Sequence, residues 1–352
     1  MYKYYISKNN GKTNHAGSKA RNDVENILGS CGYTEVSAAL SINNKFLRKL
    51  CEYIRYFQLC DFEKNSIVVN QYPNLPFLFN WNLNCKKKKK SYKIVTVIHD
   101  LSMRAKGNRL NNRYLQKYVI KISDYIIVHN EKMEQYFIEN LGVKKEKIIK
   151  LELFDYLMNR CDKEIDSKKG NIIIAGNLDK TKCPYIYKLS DTTTDMKYNL
   201  YGPNYCEKVI QDNVSYCGSF VPEELPQNMM GSWGLVWDGT EITTCAGLMG
   251  QYLMLNNPHK TSLYIASGIP VIIWNKSALA NLIRKKNIGI TISSIFDIER
   301  KIKSLTIDEY GIMLKNVRAE GAKLRKGYYL KKAINEAEER IRRGVEGEKE
   351  IY

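Results

Sequence analysis

The sequence has few of the features that mark secreted, membrane-spanning or disulfide-rich proteins. No apolar run reaches the roughly 18 residues that a membrane-spanning helix needs, and the longest, Leu263–Trp274, contains Ser, Gly and Pro. The segment Met1–Ser7 lacks the apolar stretch of a signal peptide. We therefore expect a cytoplasmic protein.

Cysteine and histidine lack the spacing of a disulfide framework or a metal site. The nine cysteines are odd in number and include no Cys-x-x-Cys pair, so reduced thiols are expected. The four histidines, His15, His99, His129 and His259, include no pair at metal-ligand spacing. We predict no metal and no cofactor.

Positive charge is in large excess. There are 55 Lys and Arg residues against 37 Asp and Glu, a formal net charge of +18, which attracts nucleic acid, anionic lipid or phosphorylated substrates. Lys86–Lys90 follow the apolar and aromatic run Phe77–Leu83. This combination suits an anionic membrane surface, and a solvated loop before the next strand is the alternative interpretation.

Apolar runs alternate with helical patterns through most of the chain. Uninterrupted runs such as Ile172–Ile174 are typical of parallel strands buried on both faces, and strands separated by helices predict an α/β fold with doubly wound parallel sheets. The predicted strands are Lys3–Ser7, Ser66–Asn70, Ile94–His99, Tyr125–His129, Ile148–Leu153, Asn171–Ala175, Tyr198–Tyr201, Ser215–Cys217, Gly234–Trp237 and Pro270–Trp274.

A charged segment, Cys161–Gly170, separates two sets of these strands. We predict one Rossmann-like domain over residues 1–160 and a second over residues 168–324, with a helix over 325–352 packing back on the first. Ligands of open α/β sheets bind beyond the carboxyl ends of strands. The expected site is therefore an interdomain cleft lined by residues that follow strands.

The most informative segment is the short helix that begins near Lys260. Pro258 ends any helix or strand that precedes it. The N-terminus of the helix that follows offers backbone N–H groups and partial positive charge. With the ammonium of Lys260 and the hydroxyls of Thr261 and Ser262, this arrangement suits a diphosphate. The alternative is a surface lysine at the start of an ordinary αβ unit.

Other polar residues also follow predicted strands. Gly176 permits a tight turn, and Lys180 is placed to face a phosphate from the side opposite Lys260. Phe220 is placed either to stack on a flat base or to pack in a core. Asp238, followed by Gly239, is a candidate for binding sugar hydroxyls.

His99 and Asp100 lie at the carboxyl end of a predicted strand, where a His–Asp pair can supply a general base. The two side chains point to opposite faces if the strand continues, so we expect one of them, preferentially Asp100, to reach the substrate. A buried structural histidine with an aspartate partner is the alternative.

Several segments resemble the glucosyltransferase 3 and β-1,6-galactofuranosyltransferase group of bacterial GT-B glycosyltransferases. They cover nearly the whole chain in a consistent order. They are Ile98–Asp100, Ile126–Asn130, Phe154–Tyr156, Gly176–Leu178, Gly234–Gly239, Asn257–Lys260, Gly268–Ile272, Lys315–Arg318 and Leu324–Tyr329.

The resemblance implies a GT-B enzyme with two Rossmann-like domains that uses a UDP-sugar without a metal ion. It implies that the C-terminal domain binds the donor, the N-terminal domain binds a glycan acceptor, and the chains form dimers or tetramers. Lys180 and Lys260 match groups that hold the diphosphate. The full predicted UDP-sugar site is Gly17, Ser18, Asn177, Lys180, Phe220, Asp238, Gly239, Asn257, His259, Lys260, Thr261 and Ser262.

The chain departs from wider GT-B enzymes in one respect. Retaining members commonly carry two glutamates seven residues apart at the donor site, but no acidic residue occurs from Gln251 to Asn275. Transfer of galactofuranose with inversion would need a base, for which Asp100 is predicted, and cations on the leaving UDP. The predicted function is hexose transfer, of galactofuranose or glucose, for a cell-surface polysaccharide. The alternatives are a basic nucleic-acid-binding protein and an inactive GT-B scaffold subunit.

Overall fold

The computed structural model divides into two compact units. The first consists of residues 1–13, 21–152 and 329–352, and the second of residues 14–20 and 153–328. The predicted domain boundary falls largely on residues 160–166, outside the described residues. The described residues are 1–7, 16–37, 51, 54–55, 57–73, 75–101, 109–159, 167–192, 195–206 and 212–349.

The first unit contains a parallel sheet of six strands in the order β2-β1-β3-β4-β5-β6. The strands are β1 Lys3–Ser7, β2 Thr34–Ser37, β3 Ile67–Tyr72, β4 Lys93–Ile98, β5 Tyr125–Val128 and β6 Ile148–Lys150. The helices are α1 Ala16–Ser30, α2 Phe77–Lys90, α3 Arg109–Ile122 and α4 Glu131–Leu141, followed by a 3₁₀ turn at Lys145–Lys147. A C-terminal helix, Tyr328–Lys349, also belongs almost entirely to this unit.

The second unit contains a second parallel sheet of six strands, in the order β12-β11-β10-β7-β8-β9. Its strands are β7 Ile172–Ala175, β8 Tyr198–Tyr201, β9 Val214–Tyr216, β10 Trp233–Val236, β11 Val271–Trp274 and β12 Gly289–Ile292. A 3₁₀ segment covers Pro184–Asp191. The α-helices are α5 Leu225–Asn228, α6 Gly247–Leu253, α7 His259–Ala266, α8 Ala280–Lys286, α9 Asp297–Ser304 and α10 Ile307–Leu324, and the C-terminal helix Tyr328–Lys349 is α11.

The predicted α/β fold with parallel sheets is confirmed. All ten predicted strands are present, and none of their ends shifts by more than three residues, because fully buried central strands such as β7, β10 and β11 give continuous apolar runs. The missed strands, β2 and β12, lie at sheet edges. An edge strand pairs on one side only, and Thr34–Ser37 is half-buried or exposed along its whole length, so its sequence carries little apolar signal.

The interpretation of Lys86–Lys90 as a loop is wrong. Helix α2 continues through Lys90 and ends at Ser91, which has a left-handed backbone conformation with φ 56°. The five lysines therefore form the last turn and a half of a helix, and their side chains point in different directions. Among the described residues, no helix combines the length and apolar character needed to cross a bilayer.

One buried carboxylate links α11 to the rest of the first unit. Glu338 is only 3% exposed and accepts hydrogen bonds from Nζ of Lys3 at 2.7 Å and from the hydroxyl of Tyr33 at 2.9 Å. Lys3 lies on β1 and Tyr33 follows α1, so Glu338 connects the C-terminal helix to two earlier elements. A buried carboxylate with ionic and hydroxyl partners is costly to remove because its partners lose their hydrogen bonds.

We predict that Glu338→Gln destabilises the protein by about 1–3 kcal/mol, since a neutral amide weakens a charge-assisted, buried set of hydrogen bonds. Its neighbour Glu339 is 60% exposed and pairs with Arg343 at 3.6 Å, so Glu339→Gln should change stability by less than about 0.5 kcal/mol. Urea denaturation of both variants measures the difference. Equal losses would show that Glu338 does not anchor α11.

Candidate functional site

The second sheet has a topological switch point between β7 and β10. The chain proceeds from β7 to β8 and β9 on one side, and from β10 to β11 and β12 on the other. Ligands of open α/β sheets bind at the carboxyl edge at such points, because the connections leave in opposite directions. The residues that follow these strands are Gly176–Lys180 after β7 and Trp237–Gly239 after β10.

An ion pair joins the first turn of α7 to the end of β10. Nζ of Lys260 lies 2.6 Å from Oδ1 of Asp238 and donates to the carbonyl oxygen of Trp237 at 3.3 Å. The two charged side chains are only 17% and 19% exposed. Burial acts to lower the pKa of Lys260, but the carboxylate of Asp238 outweighs it, so the pKa lies above its usual value. Lys260 therefore stays cationic at physiological pH.

This ion pair changes the predicted role of Asp238. The sequence suggested a carboxylate available to sugar hydroxyls, whereas the structure gives Asp238 a strong donor in Lys260. The next residue, Gly239, lies against the loop that returns from β10, since a Cβ at this position would be 2.4 Å from Cα of Cys245. The segment after β10 is therefore tightly packed.

Tyr264 fixes α7 across the switch point. Its hydroxyl accepts a hydrogen bond from the backbone N–H of Ala175, the last residue of β7, at 2.7 Å. Its ring lies on β10, where a Cβ at Gly234 would be 2.2 Å from the ring. Burial raises the pKa of Tyr264 to about 12, so the hydroxyl stays neutral. Helix α7 is thus held to both strands that flank the switch point.

Glycines follow three adjacent strands at the carboxyl edge. Gly176, Gly202 and Gly218 all have positive φ, at 145°, 142° and 97°. A Cβ on Gly202 would be 1.8 Å from the carbonyl oxygen of Gly176, so the two turns touch through their main chains. The turn after β8 therefore has no room for a side chain at Gly202.

The turn after β7 presents polar groups with defined roles. Oδ1 of Asn177 accepts from the backbone N–H of Asp179 at 3.0 Å and from Nδ2 of Asn204 at 3.1 Å. Its remaining polar group, Nδ2, can only donate. Lys180 is exposed. Beyond β9, Phe220 is half-buried, with its ring 6.4 Å from that of Tyr201.

The second unit also brings Lys19 to the start of α7. Nζ of Lys19 donates to the carbonyl oxygen of Leu157 at 2.6 Å and lies 4.9 Å from the ring of Tyr156. The Tyr156 ring is in turn 5.1 Å from the ring of His259. Burial lowers the pKa of His259 to about 4, and the charge of Lys19 adds to the effect, so His259 is neutral at physiological pH.

Three side-chain polar atoms in the first turn of α7 and the segment just before it are buried and, in the part of the chain that the structure describes, have no hydrogen-bond partner. They are Oδ1 of Asn256, Nε2 of His259 and Oγ1 of Thr261. Buried polar atoms of this kind commonly mark the place of a water or a ligand. The side chains of Thr261, Ser262 and Asn257 are at most 4% exposed.

The remaining predicted donor residues lie at the start of α1. Gly17 and Ser18 are the second and third residues of that helix, and Ser18 is half-buried. The sequence did not single out Lys19 or Tyr156 as site residues. Lys19 adjoins Ser18, and Tyr156 belongs to one of the segments that carry the resemblance, so both could have been found from those positions.

The predicted catalytic residues lie in the first unit. His99 and Asp100 follow β4 and are half-buried. Nε2 of His99 is 2.7 Å from Oε1 of Gln71 on β3. The negative charge of Asp100 favours the cationic form of Arg21 on α1. In the parts of the chain that the structure describes, no three His, Cys, Asp or Glu side chains are arranged to hold a metal ion.

Known protein families and individual relatives match this chain along almost its whole length. The models of the glucosyltransferase 3-like N-terminal and C-terminal domains match residues 3–153 and 172–337. The β-1,6-galactofuranosyltransferase WbbI of Escherichia coli (strain K12) is 31% identical over 344 residues, which are 95% of this chain and 97% of WbbI. Glucosyltransferase 3 of Streptococcus gordonii is 31% identical over 70% of both chains.

The solved structure of Anabaena Alr3699/HepE in complex with UDP and glucose has the same fold. Its TM-score is 0.59 at 10% identity, over 96% of this chain and 99% of HepE. The two parallel six-stranded sheets are thus those of GT-B glycosyltransferases. The chain belongs to the glucosyltransferase 3-like family.

The contact between the turns after β7 and β8 predicts that Gly202→Ala destabilises the second unit by more than about 2 kcal/mol. The added Cβ meets main chain, and the positive φ is unfavourable for alanine. Gly311 lies in α10, where a Cβ would have no other atom within 4 Å, so Gly311→Ala should stabilise by about 0.5–1 kcal/mol. Thermal unfolding of both variants checks this. A neutral Gly202→Ala would contradict the close approach.

Proposed function

We propose that this member of the glucosyltransferase 3-like family transfers a hexose, galactofuranose or glucose, from a UDP-sugar to a glycan acceptor. The proposal places the reaction in cell-surface polysaccharide biosynthesis and requires no metal ion. It is supported by the name of WbbI as a β-1,6-galactofuranosyltransferase and by the UDP and glucose held in HepE. The observation that carries it is the Lys260–Asp238 ion pair at the switch point, beside the first turn of α7.

The diphosphate of the donor would bind at the start of α7. The ammonium of Lys260 is permanently charged and held in place by Asp238, so it offers a positioned cation. The exposed ammonium of Lys180 and Nδ2 of Asn177 follow the adjacent strand β7. Cations and donors arranged before the reaction stabilise the charge that develops on a leaving diphosphate. Phe220 remains our candidate for stacking on the base.

The acceptor would bind in the first unit, where His99 and Asp100 are the candidates for the general base. Inversion requires that an acceptor hydroxyl attacks the anomeric carbon directly while a base removes its proton. The carboxylate of Asp100 lies close enough to the guanidinium of Arg21 to stabilise its cationic form. The carboxylate of Asp100 therefore has a cation nearby. The protein is proposed to act in the cytoplasm, and the family resemblance supports association into dimers or tetramers.

We further propose that the exposed face of α2 contacts an anionic membrane surface that carries the acceptor. Phe77, Leu78 and Trp81 are 47%, 44% and 43% exposed. Trp81 lies one turn after Phe77, and Lys88 lies two turns after Trp81, so they share one face of the helix. Aromatic side chains beside lysines on a helix are typical of interfacial binding.

The five lysines of α2 do not contribute equally to this surface. Lys86 and Lys90 pair with Asp61 at 3.6 Å and 3.4 Å, and Lys87 pairs with Asp124 at 2.6 Å. Lys88 and Lys89 are exposed. The membrane-facing charge is therefore assigned to Lys88 and Lys89.

Lys260→Gln tests the donor site, because glutamine keeps a donor for Asp238 and loses the charge. We expect the Kd for UDP, measured by calorimetry, to rise about 10- to 100-fold, as for the loss of a charged hydrogen bond of roughly 1.5–3 kcal/mol. Lys285 is exposed on α8, and Lys285→Gln should leave the Kd unchanged. Unchanged UDP affinity in Lys260→Gln would refute the phosphate site.

The membrane proposal predicts binding to vesicles of phosphatidylglycerol and phosphatidylcholine that fades with added salt. Reversing the charge of both Lys88 and Lys89 to Glu should weaken binding at least about tenfold, at roughly 1 kcal/mol per basic residue. Lys144 and Lys145 are also adjacent and exposed, and their reversal serves as the control. Equal losses in sedimentation assays would mean that charge in general, and not α2, drives binding.

A further inference from the structure

A chain of three hydrogen-bonded side chains lies at the switch point of the first sheet, between β1 and β3. Nε2 of Gln71, on β3, donates to Oε1 of Glu25, on α1, over 3.2 Å. Oε1 of Gln71 lies 2.7 Å from Nε2 of His99, which follows β4. Gln71 is only 1% exposed, so both ends of its amide depend on protein partners.

The chemistry of these groups fixes the direction of every hydrogen bond in the chain. An ionised carboxylate only accepts, so Glu25 must face the NH₂ group of Gln71, and the amide oxygen must then face His99. An amide oxygen also only accepts, so Nε2 of His99 must carry a proton. In a neutral imidazole, Nδ1 is then the nitrogen that can take up a proton.

We propose that Glu25 is a positioning residue that, through Gln71, holds the proton of His99 on Nε2 and so assigns Nδ1 to accept the proton of the acceptor hydroxyl. This inference rests on the proposed function. In the transfer, the O–H bond breaks and its proton moves to Nδ1. The oxygen forms the new bond to the anomeric carbon, and UDP leaves with the electron pair of the bond that breaks.

The surroundings of Glu25 make its charge sensitive to pH. Burial raises the pKa of Glu25 to about 7; the charge of Glu35, on β2, adds to this, and Arg21 and Gln71 oppose it. The other titratable groups that face it are Tyr5 on β1, which interacts with both glutamates, and Asp100, which acts on Arg21. An acid with a raised pKa is ionised only above that value. The hydrogen bonds that keep the proton of His99 on Nε2 are therefore maintained above about pH 7 and weaken below it.

Reversing the direction of the hydrogen bonds from Glu25 through Gln71 to His99 gives a direct test. In Glu25→Lys the introduced ammonium can only donate, so it draws the amide oxygen of Gln71 and turns the NH₂ group toward His99. Nε2 of His99 must then accept, and the proton must move to Nδ1. Ring ¹⁵N shifts of the histidine-labelled full-length protein at pH 8.5 report which nitrogen is protonated, with His99→Asn identifying the signals.

We expect the wild-type protein to show His99 protonated on Nε2, and Glu25→Lys to show the Nδ1-protonated form in roughly tenfold excess, as for the value of one hydrogen bond. Glu25→Gln can donate or accept, so it should show both forms and covers the case in which Glu25→Lys does not fold. Unchanged His99 shifts in a folded Glu25→Lys, or in Glu25→Gln, would overturn the proposal.

Helix α4 offers a matched control, because Nε2 of Gln135 donates to Oε1 of Glu139 at 2.8 Å on the surface. Glu139→Lys makes the same charge change at a Glu–Gln pair and should leave the His99 shifts as in wild type. A shift of equal size there would attribute the effect to charge at a distance and overturn the role of Gln71.

Activity supplies a second readout that separates this inference from the proposed function. Release of UDP in the presence of glycan acceptor should fall about 100-fold or more in Glu25→Lys, the scale of a lost general base, with UDP affinity unchanged. Full turnover with an inverted tautomer would overturn the assignment of Nδ1. If the wild-type protein transfers no hexose, the proposed function fails, while the ¹⁵N shifts still decide what Glu25 does.

Discussion

The contact between the ammonium of Lys260 and the carboxylate of Asp238 organises the candidate donor site. It links the first residues of α7 to the end of β10, and Tyr264 completes the link by binding the last backbone N–H of β7. A helix attached to both strands at a switch point cannot rotate without breaking a charged contact and a buried hydrogen bond. The site is therefore rigid where the diphosphate is proposed to bind.

A positioned ammonium differs from a free one in two ways. Its side-chain entropy is already lost in the folded protein, so a ligand does not pay for ordering it. Its charge is partly neutralised by Asp238, so an anion must share it with a carboxylate that stays in place. Lys180 is instead exposed to solvent, so an anion that binds it has to order its long side chain. The two lysines together would combine placement with attraction.

The sequence predicted the parts of the fold that depend on burial. Central strands such as Ile172–Ala175 give continuous apolar runs because both of their faces are covered, whereas the edge strand Thr34–Ser37 carries little apolar signal. Side-chain contacts that depend on the order of the strands in the sheet could not be predicted from the sequence. Lys260 and Asp238 are 22 positions apart, and their contact follows from the placement of α7 on β10 and β7.

The same limit applies to the first unit. His99 was found because it follows an apolar strand, but its partner Gln71 lies inside another strand and Glu25 on a helix. Nothing in the pattern of either segment separates these side chains from ordinary polar residues. The chain of hydrogen bonds appears only when the parallel order of β1, β3 and β4 brings the segments together.

The touching turns at Gly176 and Gly202 have a consequence for how this family can diversify. Since main-chain atoms alone set the spacing of those turns, the residues that follow them can be exchanged without moving the edge on which they stand. Substitution of exposed side chains at such positions should therefore cost little folding free energy. A fixed backbone frame of this kind lets the side chains along the edge vary one at a time.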